Sequence, residues 1–367
     1  MIVFSHELFS IQSFGGVTRC MIEIMRGLHR READWTVWAG RHGSEPLEAF
    51  RQEEGVAARV HADAIGPLPG RFAASVSNEW RFRRYLSALG LGVVHRTQYA
   101  VADMIPRRFA KVSTLHDMWT ERPGGVRPGE RIRSHFKRQA LQRSDAIVCV
   151  SENSRRELCE AWPDLGERSV VIHHGVRKVS DSPAPVKQLR PFFLFVGARE
   201  ERKNFPLLLR AFSAPKRLQE FDLICVGGGK FSQTEQALIA AGGLTARVHQ
   251  QSADDAQLAG LYEAAVALVY PSRFEGFGMP ILEAMIHGCA VICAPVSCMP
   301  EIGGNAALYA DAHDPEAWCV TMQHLAFDHE AAAQARAAGL DRARQFSWDT
   351  AAASYLDIYR KLGARPD

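Results

Sequence analysis

The stretch PSRFEGFGMPILEAMIHG, residues 271–288, places Glu275 in a glycine-flanked loop and Glu283 eight residues further on. Pro280 suits the first turn of a helix. Ile281, Leu282, Met285 and Ile286 then form the apolar face of that helix, so Glu283 projects elsewhere, toward the loop end. Carboxylates so placed can accept hydrogen bonds from sugar hydroxyls while the loop amides donate. A carboxylate near a helix N-terminus also complements the helix dipole, which is the plainer account of Glu283. In VGAREERKNF, residues 196–205, a strand ends at Gly197, and Arg199, Arg202 and Lys203 follow in a loop that leads into a helix. Forked guanidinium groups and a compact ammonium suit a diphosphate, although a solvated charged loop has the same composition. In SFGGVTR, residues 13–19, the Gly15–Gly16 step opens a helix whose unpaired amides favour a phosphate, or else makes a simple tight turn. TLHDMW, residues 114–119, sets His116 and Asp117 just past a strand. A histidine there can hydrogen-bond a substrate hydroxyl or move a proton, and it can equally be a satisfied structural residue.

Other chemistries find less support. Neither SFGGVTR nor GGGK at 227–230 is the GxGxxG fingerprint of a nicotinamide dinucleotide site. Cys289, Cys293 and Cys298 cluster without a histidine or carboxylate at ligand spacing. No DxD triplet occurs, so neither a bound metal nor a metal-bridged diphosphate is expected.

The elements that must position these loops alternate along the chain. Strands are expected at 2–5, 36–39, 93–96, 112–115, 146–151 and 170–173, and then at 192–196, 223–226, 247–250, 267–270, 290–293 and 307–309. Between them lie amphipathic stretches, such as 16–30 with Val17, Met21, Ile24 and Leu28 on one helical face. That alternation implies an α/β protein of parallel sheets covered on both faces. A chain of 367 residues exceeds the ~250–300 at which a single core stops growing, so two domains are expected. The proline-rich stretch 177–190 reads as a hinge linker between doubly wound domains at 1–176 and 191–346. Residues 347–367 read as a terminal helix whose stripe Trp348, Ala352, Tyr355, Tyr359 and Leu362 needs a surface to cover, with packing back on the N-terminal domain as the expectation. In such folds ligands sit at the carboxyl ends of the strands. All four motif loops follow strands.

With 47% hydrophobic and 23% charged residues, the composition is that of an ordinary soluble protein and excludes wholesale disorder. The net charge of +3 is unevenly spread: residues 71–156 hold 17 basic and 7 acidic side chains. The eight cysteines are scattered, mostly in apolar runs, which fits a reducing cytoplasm. The N-terminus lacks signal-peptide character, and no stretch reaches the ~18 apolar residues of a membrane span.

Taken together, FGGVTR, LHD, VGxxxxRKN and Glu275-GFGMPIL-Glu283 resemble, nearly end to end, the retaining glycosyltransferases of family 4. That resemblance implies the GT-B fold, in which two Rossmann-like domains face a central cleft. It also implies roles for particular residues. The Gly15–Gly16 turn, through the Gly16 amide, and Lys203 with Arg199 or Arg202 would hold the donor diphosphate. His116 would contact the donor sugar. Glu275 and the amides of Phe277, Gly278 and Met279 would hold its hydroxyls, Glu283 the ribose, and the stretch around His249 and Gln250 the base. His116, Glu275 and Lys203 are thereby the catalytic candidates. Many members carry Arg directly after the glycine of VGR, where this chain has Ala198. A narrower likeness, through FGG, RxQY and LHDM, is to polysaccharide and lipopolysaccharide mannosyltransferases.

The expectation is therefore a metal-independent hexosyltransferase moving a mannosyl group from GDP-mannose, or a UDP-linked sugar, to a saccharide or lipid-linked saccharide acceptor. The alternatives are a sugar-nucleotide epimerase or hydrolase on the same scaffold, or a non-catalytic sugar-nucleotide binder. RFRRYL and ERIRSHFKRQALQR mix basic and apolar residues, which suits peripheral contact with an anionic membrane as well as a plain solvated face. No nucleic-acid recognition motif accompanies them.

Overall fold

Runs of β-branched and aromatic residues too short for buried helices become parallel strands, and the amphipathic stretches between them return the chain across the sheet. The computed structural model describes residues 1–11, 15–62, 71–99, 103–122, 128–186, 190–213 and 216–363. Ser13 and Phe14 of the glycine motif, 187–189 of the expected linker and 364–367 of the terminal segment lie outside these residues. The chain divides into two compact units, Met1–Gly175 with Trp348–Asp367, and Val176–Ser347.

The first unit carries a parallel sheet of seven described strands. These are β1 (Ile2–Phe4), β2 (Trp35–Gly40), β3 (Val60–Ala62), β4 (Gly92–Arg96), β5 (Phe109–Leu115), β6 (Ala146–Cys149) and β7 (Ser169–Val171), in the order β3-β2-β1-β4-β5-β6-β7. Only β3 was not expected; with three residues and one buried side chain it leaves no periodic signal. The second unit holds β8 (Phe192–Val196), β9 (Asp222–Val226), β10 (Val248–Gln251), β11 (Ala267–Tyr270), β12 (Ala290–Cys293) and β13 (Leu308–Tyr309), in the order β10-β9-β8-β11-β12-β13, again all parallel among the described pairs. Two Rossmann-like α/β units are thus present, and the central strands of each are buried along nearly their whole length.

The terminal helix, Trp348–Gly363, belongs to the first unit. Its expected stripe is buried. Gly27 of the helix Gly16–Arg30 makes the approach possible, since a Cβ there would overlap the Ala352 methyl. Asp349 accepts from Arg30 at 2.8 Å and Arg31 at 3.2 Å. Deeper in, Tyr359 meets His95 Nδ1 at 2.5 Å, and Tyr355 meets Thr114, which itself bonds His95 Nε2 at 2.9 Å.

The stretch expected as a linker is tied to the second unit along its described part. The Val179 N–H donates to His287 Nε2 at 3.0 Å, and the Ala184 N–H to the Ala256 carbonyl at 2.9 Å. The Ala184 carbonyl lies against Gly260, where a Cβ would collide with it. Backbone polar groups that leave water need such partners, which a reading of proline content alone does not reveal.

Candidate active site

In the second unit the chemistry gathers at the carboxyl ends of β8 and β11. Lys203 closes a short 3-10 turn, Glu201–Lys203, and is 8% exposed. Its ammonium donates to Glu275 Oε1 at 2.6 Å and to the Tyr270 hydroxyl at 2.8 Å, and lies 4.7 Å from the centre of the Tyr270 ring. Burial, and then the negative Glu275, push the Tyr270 phenol well above its ordinary pKa, so it stays protonated. The backbone stitches the two loops together. The Arg273 N–H donates to the Arg202 carbonyl at 2.7 Å, and Asn204, in a left-handed conformation, donates to the carbonyls of Pro271 and Ala312 at 3.2 and 2.8 Å. Ser297 Oγ donates to the Glu275 carbonyl at 2.6 Å, fixing the main chain from a third strand end.

Beyond Glu275, Gly278 caps the helix Met279–Ile286 with φ +86°, a conformation costly for any residue with a Cβ. Phe277 and Gly278 are buried and Met279 is partly exposed. Glu283 accepts from the Tyr262 hydroxyl at 3.1 Å.

The two arginines of the basic loop part company. Arg199 is sealed in, with its side chain 3% exposed. Its guanidinium donates to Glu235 at 2.6 Å and to the carbonyls of Gly227, Gly229 and Lys230 at 2.7, 2.8 and 3.1 Å, and lies 4.8 Å from the Phe231 ring centre. Arg199 is therefore a clamp on the GGGK turn, with most of its donors committed there. The sequence offered Arg199 and Arg202 alike for the diphosphate, and the fold engages Arg199 in this turn. Arg202 keeps more exposure, bonds Glu200 at 3.0 Å and stands 3.9 Å from Glu275 Oε2.

His249 lies in the edge strand β10, half-exposed, 3.5 Å from Asp222 at the start of β9. Asp222 opens β9, so this contact lies at the amino end of that strand. Gln250 pairs in register with Cys225, one residue nearer the carboxyl ends.

In the first unit, His116 follows β5 directly. Its Nε2 is buried and has no hydrogen-bond partner among the described residues. Burial lowers its pKa to about 4; Asp117 pulls the other way and Lys137 reinforces the shift, so the ring is neutral at pH 7. It packs against His174 at 6.1 Å between ring centres, and His174 in turn against Trp348 at 5.4 Å. Lys137 is buried and holds the loop after His116 through the Asp117 carbonyl, Thr120 and Glu121, at 3.0, 3.2 and 2.8 Å. Gly16 opens the helix Gly16–Arg30 after an extended Gly15, and a Cβ on Gly16 would meet nothing described within 4 Å.

The family described as "Glycosyltransferase Family 4" matches residues 14–178, and "Glycosyl transferases group 1" matches 178–341. The chain is 31% identical over 275 residues to O-antigen chain mannosyltransferase B of Escherichia coli, covering 70% of this chain and 72% of the relative. The chain belongs to glycosyltransferase family 4.

This glycosyltransferase has the GT-B fold, shared with sucrose-phosphate synthase from Thermosynechococcus elongatus at a TM-score of 0.79 and 20% identity over 99% of both chains. The fold is shared as well with Anabaena HepE, solved in complex with UDP-glucose, at 0.76 and 17% over 98% of this chain and 99% of that one. Of the residues singled out from the glycosyltransferase's sequence, Lys203 and Glu275 touch, Arg202 is adjacent, and Glu283 stands at the helix that follows. Tyr270, Asn204, Tyr262 and Ser297 were not anticipated. Tyr270 reads as the end of a buried strand, and nothing in its local pattern distinguishes a bonded hydroxyl from a packed ring.

Proposed function

We propose that this glycosyltransferase moves an α-mannosyl group from GDP-mannose, with retention, to a saccharide acceptor carried on a lipid, in the synthesis of a cell-surface polysaccharide. The buried Lys203–Glu275 pair, with Arg202 beside it, is the observation that carries this reading. It offers fixed positive charge for a departing diphosphate and a carboxylate for sugar hydroxyls within one rigid frame. The E. coli relative named as a mannosyltransferase supports the sugar. HepE, solved with UDP-glucose, makes a UDP-linked donor the comparison arm.

In the proposed step the acceptor oxygen bonds to the anomeric carbon on the face from which the phosphate oxygen leaves. That phosphate oxygen takes the acceptor proton. Lys203 and Arg202 neutralise the charge left on the diphosphate, Glu275 orients the sugar, and Glu283 accepts from the ribose. His116, neutral and with an unfilled Nε2, accepts a substrate hydroxyl. The Gly16 amide is the first unit's proposed phosphate contact. With these cations in place no divalent metal is required.

A thermal-shift screen against GDP, UDP, ADP and their sugars tests the donor, since a ligand of the folded state raises the melting temperature. GDP and GDP-mannose are expected to give the largest shifts, followed by acceptor-dependent release of GDP. Largest shifts with UDP-sugars, or donor breakdown that needs no acceptor, would replace this reading.

The helices Arg71–Ser87 and Pro128–Gln142 present Trp80 and Ile132 to solvent, 57% and 59% exposed, with Arg83, Arg84, Arg131, Arg133 and Arg138 also exposed. Arg96 and Lys137, counted in the same basic segment, are interior. Peripheral binding to anionic lipid is the proposed use of the exposed set. Flotation with anionic but not neutral liposomes is the expected result, and equal flotation with both would remove it.

A further inference from the structure

The Lys203 ammonium has three N–H donors. One goes to Glu275 Oε1 at 2.6 Å and one to the Tyr270 hydroxyl at 2.8 Å. The third has no partner among the described residues. Beside it stands Gly197, with φ +132°, and a Cβ built there would sit 3.7 Å from both Nζ and Cε. Gly197, which has no side chain, therefore leaves the space next to the ammonium unfilled on its side. Two fixed acceptors and the lysine stem define the position of Nζ, and tetrahedral geometry then defines where the third N–H points. A single acceptor would leave the ammonium free to swing about it.

Tyr270 is suited to be the second anchor. It is 1% exposed, terminates β11, and pairs in register with Cys293 of β12. Its hydroxyl accepts from Lys203, and burial together with the nearby negative Glu275 keeps it protonated. Lys203 thus joins the phenol and the carboxylate through two of its three donors. A ligand oxygen can meet the third N–H without breaking either bond.

We propose that Tyr270 is a positioning residue that aims the free N–H of Lys203 at the donor's β-phosphate, so that its hydroxyl sets affinity for the second phosphate and not for the nucleoside. This rests on Lys203 being the diphosphate ligand. The consequence is specific. Removing the hydroxyl leaves the ring, its contact with the ammonium and the Lys203–Glu275 pair intact, but frees Nζ to pivot. Binding of a nucleoside diphosphate suffers, while binding of the monophosphate, which lacks the second phosphate, does not.

The test is titration calorimetry of GDP and GMP, with UDP/UMP and ADP/AMP as parallel pairs, against wild type, Tyr270→Phe and Lys203→Gln. For the pair that wild type binds, Tyr270→Phe is expected to weaken the diphosphate about tenfold, the worth of one charge-assisted hydrogen bond, and to leave the monophosphate unchanged. Lys203→Gln is expected to weaken the diphosphate further. Equal loss for both nucleotides would show a merely structural tyrosine, and no loss for either would show an idle one; each overturns the proposal while leaving Lys203 in its role. A Lys203→Gln protein that binds the diphosphate like wild type, or a wild type that binds none of the three, overturns the assignment of Lys203 and this inference with it.

Discussion

Lys203, Glu275 and Arg202 form a small electrostatic assembly whose parts respond differently to change. Glu275→Gln preserves size, Lys203→Gln keeps an N–H donor on a slightly shorter side chain, and each removes one charge from a buried pair. We expect each to lower kcat/KM by about 100- to 1000-fold, the usual loss for one preorganised electrostatic contact, with steady-state transfer assays as the check. The two arginines separate by readout. Arg202→Ala should lower turnover at nearly unchanged melting temperature. Arg199→Ala, which leaves four loop carbonyls and Glu235 without their donor, should lower stability by about 1–3 kcal/mol. Equal melting temperatures for the two variants would contradict the clamp. The sequence showed that this loop carries phosphate-binding residue types; it could not show which arginine was already committed, because the carbonyls that capture Arg199 arrive from about 30 residues away.

At the scale of elements, the terminal helix was legible as a stripe seeking a surface, and the helix Gly16–Arg30 as an amphipathic partner. Neither stripe names the other. The match depends on Gly27, whose missing side chain lets the two backbones approach. Gly27→Leu is expected to cost at least ~2 kcal/mol by overpacking, whereas Asp349→Asn, which weakens an exposed pair with Arg30 and Arg31, is expected to cost less than ~1 kcal/mol. Urea denaturation of both variants measures the contrast. Twelve strands were readable from short runs of three to six residues. For 177–190, proline content predicts an extended path but not the hydrogen bonds from Val179 and Ala184 that join it to the second unit.

For the molecule as a whole, acid sensitivity follows from buried polar groups of the first unit. Burial, reinforced by the nearby His116, lowers His95 to about 3, and burial with His116 and His173 does the same to His174; His116 itself falls to about 4. Each is depressed below its ordinary 6.5. The unfolded chain therefore binds protons that the folded chain refuses, and stability falls as pH drops from about 6.5 toward 4, by up to about 1.4 kcal/mol per pH unit for each histidine. Below pH 4.5 Glu79 adds to the loss: burial alone would raise its pKa, but the hydrogen bonds and charge of Arg96, with a bond from His6, hold it far below the carboxylate range. Urea midpoints at pH 7 and 5 should show the drop, and His95→Gln should flatten it by about a third. A midpoint unchanged between those pH values would refute the neutral buried histidines. Transfer activity should survive EDTA under the metal-free reading, and a strict requirement for added divalent ion would reject it.

The order of strands and helices, and the family to which their loops belong, were written in the chain itself. Hydrophobic periodicity and a glycine-flanked pair of glutamates are local properties, carried by residues close in sequence. The partnership of Lys203 with Tyr270 and Glu275, the capture of Arg199 by the GGGK turn, and the fit of the terminal helix against Gly27 join residues about 30 to more than 300 positions apart. Contacts of that kind depend on which faces the parallel sheets bring together. Folding therefore decided which of several chemically suitable side chains were spent on structure and which were left to act.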